Sequence, residues 1–207
     1  MIKFLKGKIS KKSINSISNS FNDLPKDEYL KFVNINFRNR RFSKTVFNKN
    51  KFFNIKDTNF TQSKLRNKYL GGVVRKYHPI KNKIIQNINS LIKENFYLFI
   101  NNKKVELGYH QIRISCGENY VGYPVPEGWH KDGFDYVSLI NFASKNISGG
   151  ISRIRNEIHK KNDVDNYSCF LNSGEFLFFC DREFFHFTDP IIVKNNKFKG
   201  YRDTLVV

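Results

Sequence analysis

The spacing of apolar residues differs between the two halves of the chain. In the first half, Ile84, Ile88, Leu91 and Ile92 recur at the spacing of one helix face. Such a stripe predicts an amphipathic helix whose apolar side packs on another layer. We expect this helix to cover the outside of a sheet.

From about residue 105 onward, apolar and polar residues alternate in short runs. In the first of these runs His110, Ile112 and Ile114 share one face, while Gln111 and Arg113 share the other. Further runs cover 136–142, 151–154, 167–171, 176–179, 184–188 and 201–207. Short strands with regular turn signals predict a double-sheet jelly roll. The predicted fold is therefore α+β, a double-stranded β-helix (cupin-like) core with the helices of the N-terminal half packed outside.

The length of 207 residues suits one domain. We expect residues 1–20, rich in Lys and Ser, to be a basic and poorly ordered segment, and 21–207 to be a single domain. Within it, 21–104 is predicted as a helix-rich support and 105–207 as the jelly-roll core. Lysines interrupt any apolar stretch near the start, which disfavours a secretory signal, and no apolar run has membrane-spanning length. Three cysteines at scattered spacings favour a reducing compartment, so we expect a cytoplasmic protein.

The formal net charge of +18 has two interpretations. It is the charge of a nucleic-acid-binding protein, or it reflects a Lys- and Asn-rich composition spread over a solvated surface. The basic residues are scattered, and no RRM, KH, helix-turn-helix or zinc-finger signature accompanies them. We favour the second interpretation, and an anionic partner stays open.

Residues 124–133, Pro-Val-Pro-Glu-Gly-Trp-His-Lys-Asp-Gly, carry the first candidate chemistry. His130 and Asp132 lie two residues apart, so their side chains project to the same face of an extended backbone. With a second histidine they would form a 2-His-1-carboxylate site, which leaves metal positions open and favours non-haem Fe(II) oxygen chemistry. A solvated pair in a turn is the alternative. The prolines and glycines on both sides favour a rigid, constructed site.

Four further histidines compete to be the third ligand. His159 lies in a charged stretch, His78 precedes a proline, and His110 suits a buried position on a strand. His186 lies in an aromatic strand just after a turn, and an apolar shell controls water access to a metal. We therefore predict that His130, Asp132 and His186 form the metal and catalytic site.

The last strand adds an anion-binding candidate. Alternation places Arg202 and Thr204 on one face. A guanidinium beside a hydroxyl suits a buried carboxylate, because arginine donates in a planar fork and threonine adds one bond. The alternative is a surface arginine paired with Asp203.

The order HxD, distant His, Arg-x-Thr resembles the Fe(II)/2-oxoglutarate-dependent dioxygenases. The likeness extends to the bacterial branch of free-amino-acid hydroxylases that includes the L-isoleucine 4-hydroxylases. The matching pieces are Leu24-Pro25, 38–43, Gly71-Gly72 with Arg75, 110–113, 126–133, 146–150, Asp181 before His186, and 200–203. By this resemblance His130, Asp132 and His186 bind Fe(II), and Arg202 with Thr204 pairs with the distal carboxylate of 2-oxoglutarate. The implied reaction consumes O2, releases succinate and CO2, and hydroxylates an unactivated C–H of a small-molecule substrate.

Three residues are candidates for binding that substrate. If Gln111 and Arg113 face the barrel interior, Arg113 could bind a substrate carboxylate, and Glu127 could bind an amine. Their alternatives are a surface ion pair and a turn residue in water. Two further functions stay open: an oxygenase acting on nucleic acid or a protein side chain, and a non-catalytic basic jelly-roll module that binds nucleic acid.

Overall fold

The computed structural model describes residues 3–30, 36–64, 70–101, 103–156 and 165–207. Its helices are α1 (Lys11–Ile17), a 3-10 helix (Ser18–Asp23) and α2 (Asn82–Ile100). Its strands are β1 (Phe4–Lys8), β2 (Arg38–Asn48), β3 (Lys51–Ile55), β4 (Asn59–Phe60), β5 (Arg75–Lys76), β6 (Val105–Cys116), β7 (Tyr136–Lys145), β8 (Ile147–Gly149), β9 (Ser152–Arg155), β10 (Tyr167–Cys169), β11 (Glu175–Cys180), β12 (Phe185–Thr188), β13 (Ile191–Val193) and β14 (Gly200–Val206).

Two layers of antiparallel strands form the core. The main sheet has the order β1-β11-β7-β14-β6-β2-β3, and smaller sheets pair β10-β9-β12 and β13-β8. Apolar side chains of the main sheet, such as Leu139 and Phe179, pack against Ile154 and Phe184 from the opposite side. This arrangement confirms the predicted double-stranded β-helix core.

Helix α2 covers the outer face of the main sheet, as its apolar stripe predicts. Ile88, Leu91 and Ile92 are buried in one cluster with Ile140 and Phe178 of the sheet. Each such side chain removed from water contributes about 1.5–3 kcal/mol to folding.

None of the described helices combines the length and hydropathy that a membrane span requires.

The N-terminal half differs from the sequence expectation in two respects. Residues 4–8, expected within a poorly ordered segment, pair with β11 from Phe4↔Phe179 to Lys8↔Glu175. Strand β2, within the expected helical support 21–104, lies between β6 and β3 in the main sheet. The physical reason is that both edges of the core sheet have free backbone groups, which these segments satisfy.

Candidate metal centre

Two short strand segments bring the predicted triad together. His130 and His186 form an antiparallel bridge, with backbone N–H···O distances of 3.2 and 2.9 Å. The potential ligand atoms of His130, Asp132 and His186 lie within 4.8 Å of one another. The Nε2 atom of His130 is 3.4 Å from Oδ1 of Asp132, and Nε2 of His186 is 3.5 Å from Oδ2. Both histidines are buried.

The second ring nitrogen of His130 sets the direction of that imidazole. Nδ1 of His130 lies 3.0 Å from the carbonyl oxygen of Gly128, which can only accept, so Nδ1 donates this bond and Nε2 is the nitrogen that can coordinate a metal once it is unprotonated. Gly128 has φ of +80°, a conformation that favours glycine. Nδ1 of His186 lies 3.7 Å from the Asp181 carboxylate. Two imidazole nitrogens and one carboxylate thus converge on one point, a donor set that fits Fe(II).

Asp181 holds the turn that carries Asp132. Its carboxylate accepts hydrogen bonds from the backbone N–H groups of Asp132 (3.0 Å), Gly133 (2.6 Å) and Phe134 (3.1 Å). Asp181 is 1% exposed, so these bonds are shielded from water. The same carboxylate lies 3.7 Å from Nδ1 of His186, beyond hydrogen-bond distance, so its direct hold is on the turn that carries Asp132.

Gln62 makes a second contact to the carboxylate of Asp132. Its Nε2 donates to Oδ1 of Asp132 at 2.8 Å, and its Oε1 accepts from Nη2 of Arg75 at 2.8 Å. The sequence analysis missed Gln62, because it lies 70 residues before Asp132 in a stretch without a motif. The triad is thus linked through one amide to a buried arginine.

The charges of the triad are strongly coupled. Burial opposes protonation of His130, but the hydrogen bond and charge of Asp132 outweigh it and raise the pKa of His130 to about 9. Burial, followed by the charge of His130, lowers the pKa of His186 to about 3. The two histidines hold the pKa of Asp132 well below its usual range despite burial. A metal ion held by the triad would displace the proton of His130, because a ligand nitrogen must be unprotonated.

The triad opens into a pocket between the two layers, with a volume of about 120 Å³. Its wall includes the pocket-facing residues of β6 and β14 and four arginines. These residues are His110, Ile112, Ile114, Arg202, Thr204, Val206, Arg38, Arg40 and Arg75. A polar end and an apolar wall suit a small ligand with few charged groups.

Arg202 and Thr204 both line this pocket. Arg202 is 3% exposed and donates to the carbonyl of Gly150 (3.0 Å) and to Oγ of Ser152 (3.2 Å). Its Nε is buried without a partner. Burial lowers the pKa of Arg202 to about 10, which leaves the guanidinium charged at neutral pH. A carboxylate in the pocket would satisfy the remaining donors.

Gln111 and Arg113 lie on the opposite face of β6, and this corrects their expected place in the barrel interior. Gln111 donates to Oγ of Ser20 in the 3-10 helix at 2.5 Å. Arg113 forms a bidentate pair with Asp203 at 2.6 and 2.7 Å. The helical layer covers this face, so polar residues are satisfied there rather than in the pocket.

Glu127, the third substrate candidate, does line the pocket. Its Oε1 is 4.0 Å from Nε2 of His130. The turn that carries both residues is fixed by Trp129, whose ring packs on Phe187 (5.5 Å between centroids) and under the guanidinium of Arg155 (3.7 Å). The ligand His130 and the candidate Glu127 are therefore held on the same rigid turn.

Comparisons with known proteins identify a family and a shared fold. A family model described as 2OG-Fe dioxygenase matches residues 18–207. The structure of IDO from Bacillus thuringiensis has a TM-score of 0.79 at 19% identity, over 99% of this chain and 92% of that one. A bsmA homologue from Methylobium petroleophilum has a TM-score of 0.78 at 22% identity, over 94% and 79%. The Fe(II)/α-ketoglutarate-dependent dioxygenase TqaL has a TM-score of 0.67 at 12% identity, over 99% and 81%.

These structural likenesses, all below 25% identity, establish a shared fold. A search of curated protein sequences gave no match. The family match covers most of the chain and includes every residue of the triad.

Proposed function

Because the chain belongs to the 2OG-Fe dioxygenase family, we propose that it hydroxylates an unactivated C–H of a free L-amino acid or a close derivative. The family uses Fe(II), 2-oxoglutarate and O2, and the chain is accordingly a dioxygenase. The observation that carries the proposal is the convergence of two histidines and one carboxylate on a pocket that is also lined by the buried Arg202.

His130, Asp132 and His186 would hold Fe(II). When bound, the metal and 2-oxoglutarate supply oxidative decarboxylation to succinate and CO2, with transfer of one oxygen atom to the substrate. Neighbouring protein groups support this donor set. Gly128 orients His130, and Asp181 holds the backbone of Asp132.

Arg202 would pair with the distal carboxylate of 2-oxoglutarate, and Thr204 would add a hydrogen bond. The support is that Arg202 has a buried Nε without a partner, while its Nη atoms are held by Gly150 and Ser152. A guanidinium fixed in this way binds a carboxylate without losing much side-chain freedom.

The substrate proposal rests on the size of the pocket, its charge and the resemblance to amino-acid hydroxylases. A cavity of about 120 Å³ suits a small molecule. Glu127 lines it and offers a carboxylate for a substrate amine. The apolar side chains of Ile112 and Val206 on the sheet wall would contact an aliphatic side chain.

The test is succinate production by Fe(II)-loaded, anaerobically purified protein given 2-oxoglutarate, O2 and each standard L-amino acid in turn. We expect one or a few amino acids to stimulate turnover. Asp132→Ala should abolish it, and Asp135→Ala, which removes an exposed carboxylate three residues away, should not.

If no amino acid stimulates succinate release while Fe(II) and 2-oxoglutarate bind, the amino-acid substrate is rejected. Stimulation by nucleic acid or a protein would then support the macromolecular alternative. Loss of that stimulation at high salt would identify a phosphate-bearing substrate.

A further inference from the structure

Two arginines of the pocket wall have no role in the proposed function. Arg40 of β2 and Arg75 of β5 line the pocket and are 7% and 3% exposed. Both lie over the ring of Phe60, with 5.6 and 4.7 Å from guanidinium carbon to ring centroid. Two like charges are therefore stacked on one aromatic side chain inside the protein.

The contacts of Arg40 leave part of its guanidinium unused. Its Nη1 donates to the hydroxyl of Tyr77 at 3.4 Å, and its Nη2 donates to Nδ1 of His110. His110 cannot neutralise it, because an imidazole is either neutral or positively charged, and burial with the charge of Arg40 holds the pKa of His110 well below its usual range. The Nε of Arg40 is buried without a partner.

Arg75 is in the same condition. Its Nη2 donates to the amide oxygen of Gln62, and its Nε is buried without a partner. Within the described ranges, no carboxylate forms an ion pair with either Arg40 or Arg75. Arg38, which also lines the pocket, differs, because Asp27 pairs with its Nε at 2.7 Å.

A buried guanidinium without a counter-charge is unfavourable unless a ligand supplies the anion. In the proposed function 2-oxoglutarate supplies one for Arg202, on β14. Arg40 and Arg75 lie on other elements, β2 and β5, and require a second anionic group. Arg75 is joined to Asp132 through the single amide of Gln62, which places this second anion site close to the triad.

We propose that Arg40 and Arg75 together bind the carboxylate of the substrate, so that the enzyme selects small molecules with a free carboxylate and rejects their esters and amides. This inference rests on the proposed function, because it places the carboxylate site in the pocket of the proposed dioxygenase. It names the residues that would bind the substrate carboxylate, which the proposed function leaves unassigned. Arg40 and Arg75 take the role that the sequence analysis gave to Arg113. The guanidinium of Arg113 is neutralised by Asp203 on the other face of the sheet.

The test is equilibrium dialysis of Mn(II)-loaded protein saturated with 2-oxoglutarate under anaerobic conditions, since Mn(II) occupies the metal site without turnover. Three probe mixtures are used: the standard L-amino acids, their α-amides, and the alkanoates from propanoate to hexanoate. Mass spectrometry measures which compounds the protein retains. Wild type is compared with Arg40→Gln and Arg75→Gln.

The matched control is Arg41→Gln, the same charge change one residue along β2. Arg41 does not line the pocket and instead donates to the backbone oxygens of Pro79 and Asp23. Arg75→Lys keeps the charge and loses the planar fork, and it serves if the Gln variant does not fold. Retained Mn(II) and 2-oxoglutarate binding verifies the fold of each variant.

We expect wild type to retain at least one amino acid and none of the amides. Arg40→Gln and Arg75→Gln should each weaken retention by tenfold or more, a typical loss for a hydrogen bond to a charged group. Arg41→Gln should retain it as wild type does. Equal retention of acids and amides, or wild-type retention by both Gln variants, would overturn the proposal.

The alkanoates separate this proposal from the amino-acid function. If they are retained in an Arg40- and Arg75-dependent way while no amino acid is, the carboxylate site stands and the amino-acid substrate fails. If no carboxylate from either mixture is retained while Mn(II) and 2-oxoglutarate bind, the carboxylate site itself is rejected.

Discussion

Removing the carboxylate of Asp181 should loosen the metal site without touching a metal ligand. The carboxylate of Asp181 accepts hydrogen bonds from the three backbone N–H groups of residues 132–134, and its Oδ1 lies 3.7 Å from Nδ1 of His186. In Asp181→Ala these three donors lose their acceptor inside the protein. The backbone that carries Asp132 is then less constrained, and so is the position of its carboxylate relative to the two imidazoles.

The magnitude follows from the count and burial of these bonds. Each buried hydrogen bond of this kind contributes about 1–1.5 kcal/mol, so the free energy of unfolding should fall by about 3–4.5 kcal/mol. Loss of a group that orients metal ligands typically weakens metal affinity by about 10- to 100-fold. Asp181→Asn keeps one acceptor oxygen, and both effects should be smaller.

Urea denaturation measures the first effect, and Mn(II) titration followed by electron paramagnetic resonance measures the second. Metal affinity is compared at a temperature where circular dichroism shows the variant to be folded. Asp135→Ala is the control, because it removes a nearby carboxylate that is 67% exposed and pairs only with Arg182 among the described residues. If Asp181→Ala binds Mn(II) as tightly as Asp135→Ala does, the supporting role of Asp181 is refuted.

Three further outcomes are expected. Arg202→Gln should raise the KM for 2-oxoglutarate by about 10- to 100-fold, measured by succinate release, whereas Arg182→Gln, at an exposed site, should not. Gln62→Leu removes both the 2.8 Å bond to Asp132 and the 2.8 Å bond from Arg75, so it should weaken Mn(II) affinity by up to about tenfold and lower the free energy of unfolding by about 1–3 kcal/mol; an unchanged Mn(II) affinity would show that Gln62 does not support the metal site. Treatment with a chelator should abolish succinate release, and Fe(II) but not redox-inert Zn(II) should restore it.

The sequence predicts the metal triad because its members are identified by close spacing along the chain or by their neighbouring residues. His130 and Asp132 are two residues apart on an extended turn, so their common direction follows from backbone geometry alone. His186 is distant in sequence, and its aromatic surroundings identify it. The antiparallel bridge between His130 and His186 then brings the three together.

The expectation that Gln111 and Arg113 face the barrel interior was wrong, because the other face of β6 lines the pocket. Alternation correctly separates His110, Ile112 and Ile114 from Gln111 and Arg113, but it does not state which set faces which layer. Both faces of β6 are covered, one by the 3-10 helix and the other by the pocket. A strand covered on both sides has no solvent face from which the inner side can be deduced.

The position of the β2 arginines in the pocket wall can be predicted only once the sheet topology is known. Arg38, Arg40 and Phe42 alternate on one face, and pairing with β6 places them opposite Ile114, Ile112 and His110 in the pocket wall. A charged residue in register with buried apolar residues requires a counter-charge. Arg38 pairs with Asp27, 11 residues before it, whereas among the described residues no carboxylate forms an ion pair with Arg40. The unmatched charge therefore points to a ligand, and the pairing of β2 with β6 determines that this ligand lies in the same pocket as the triad.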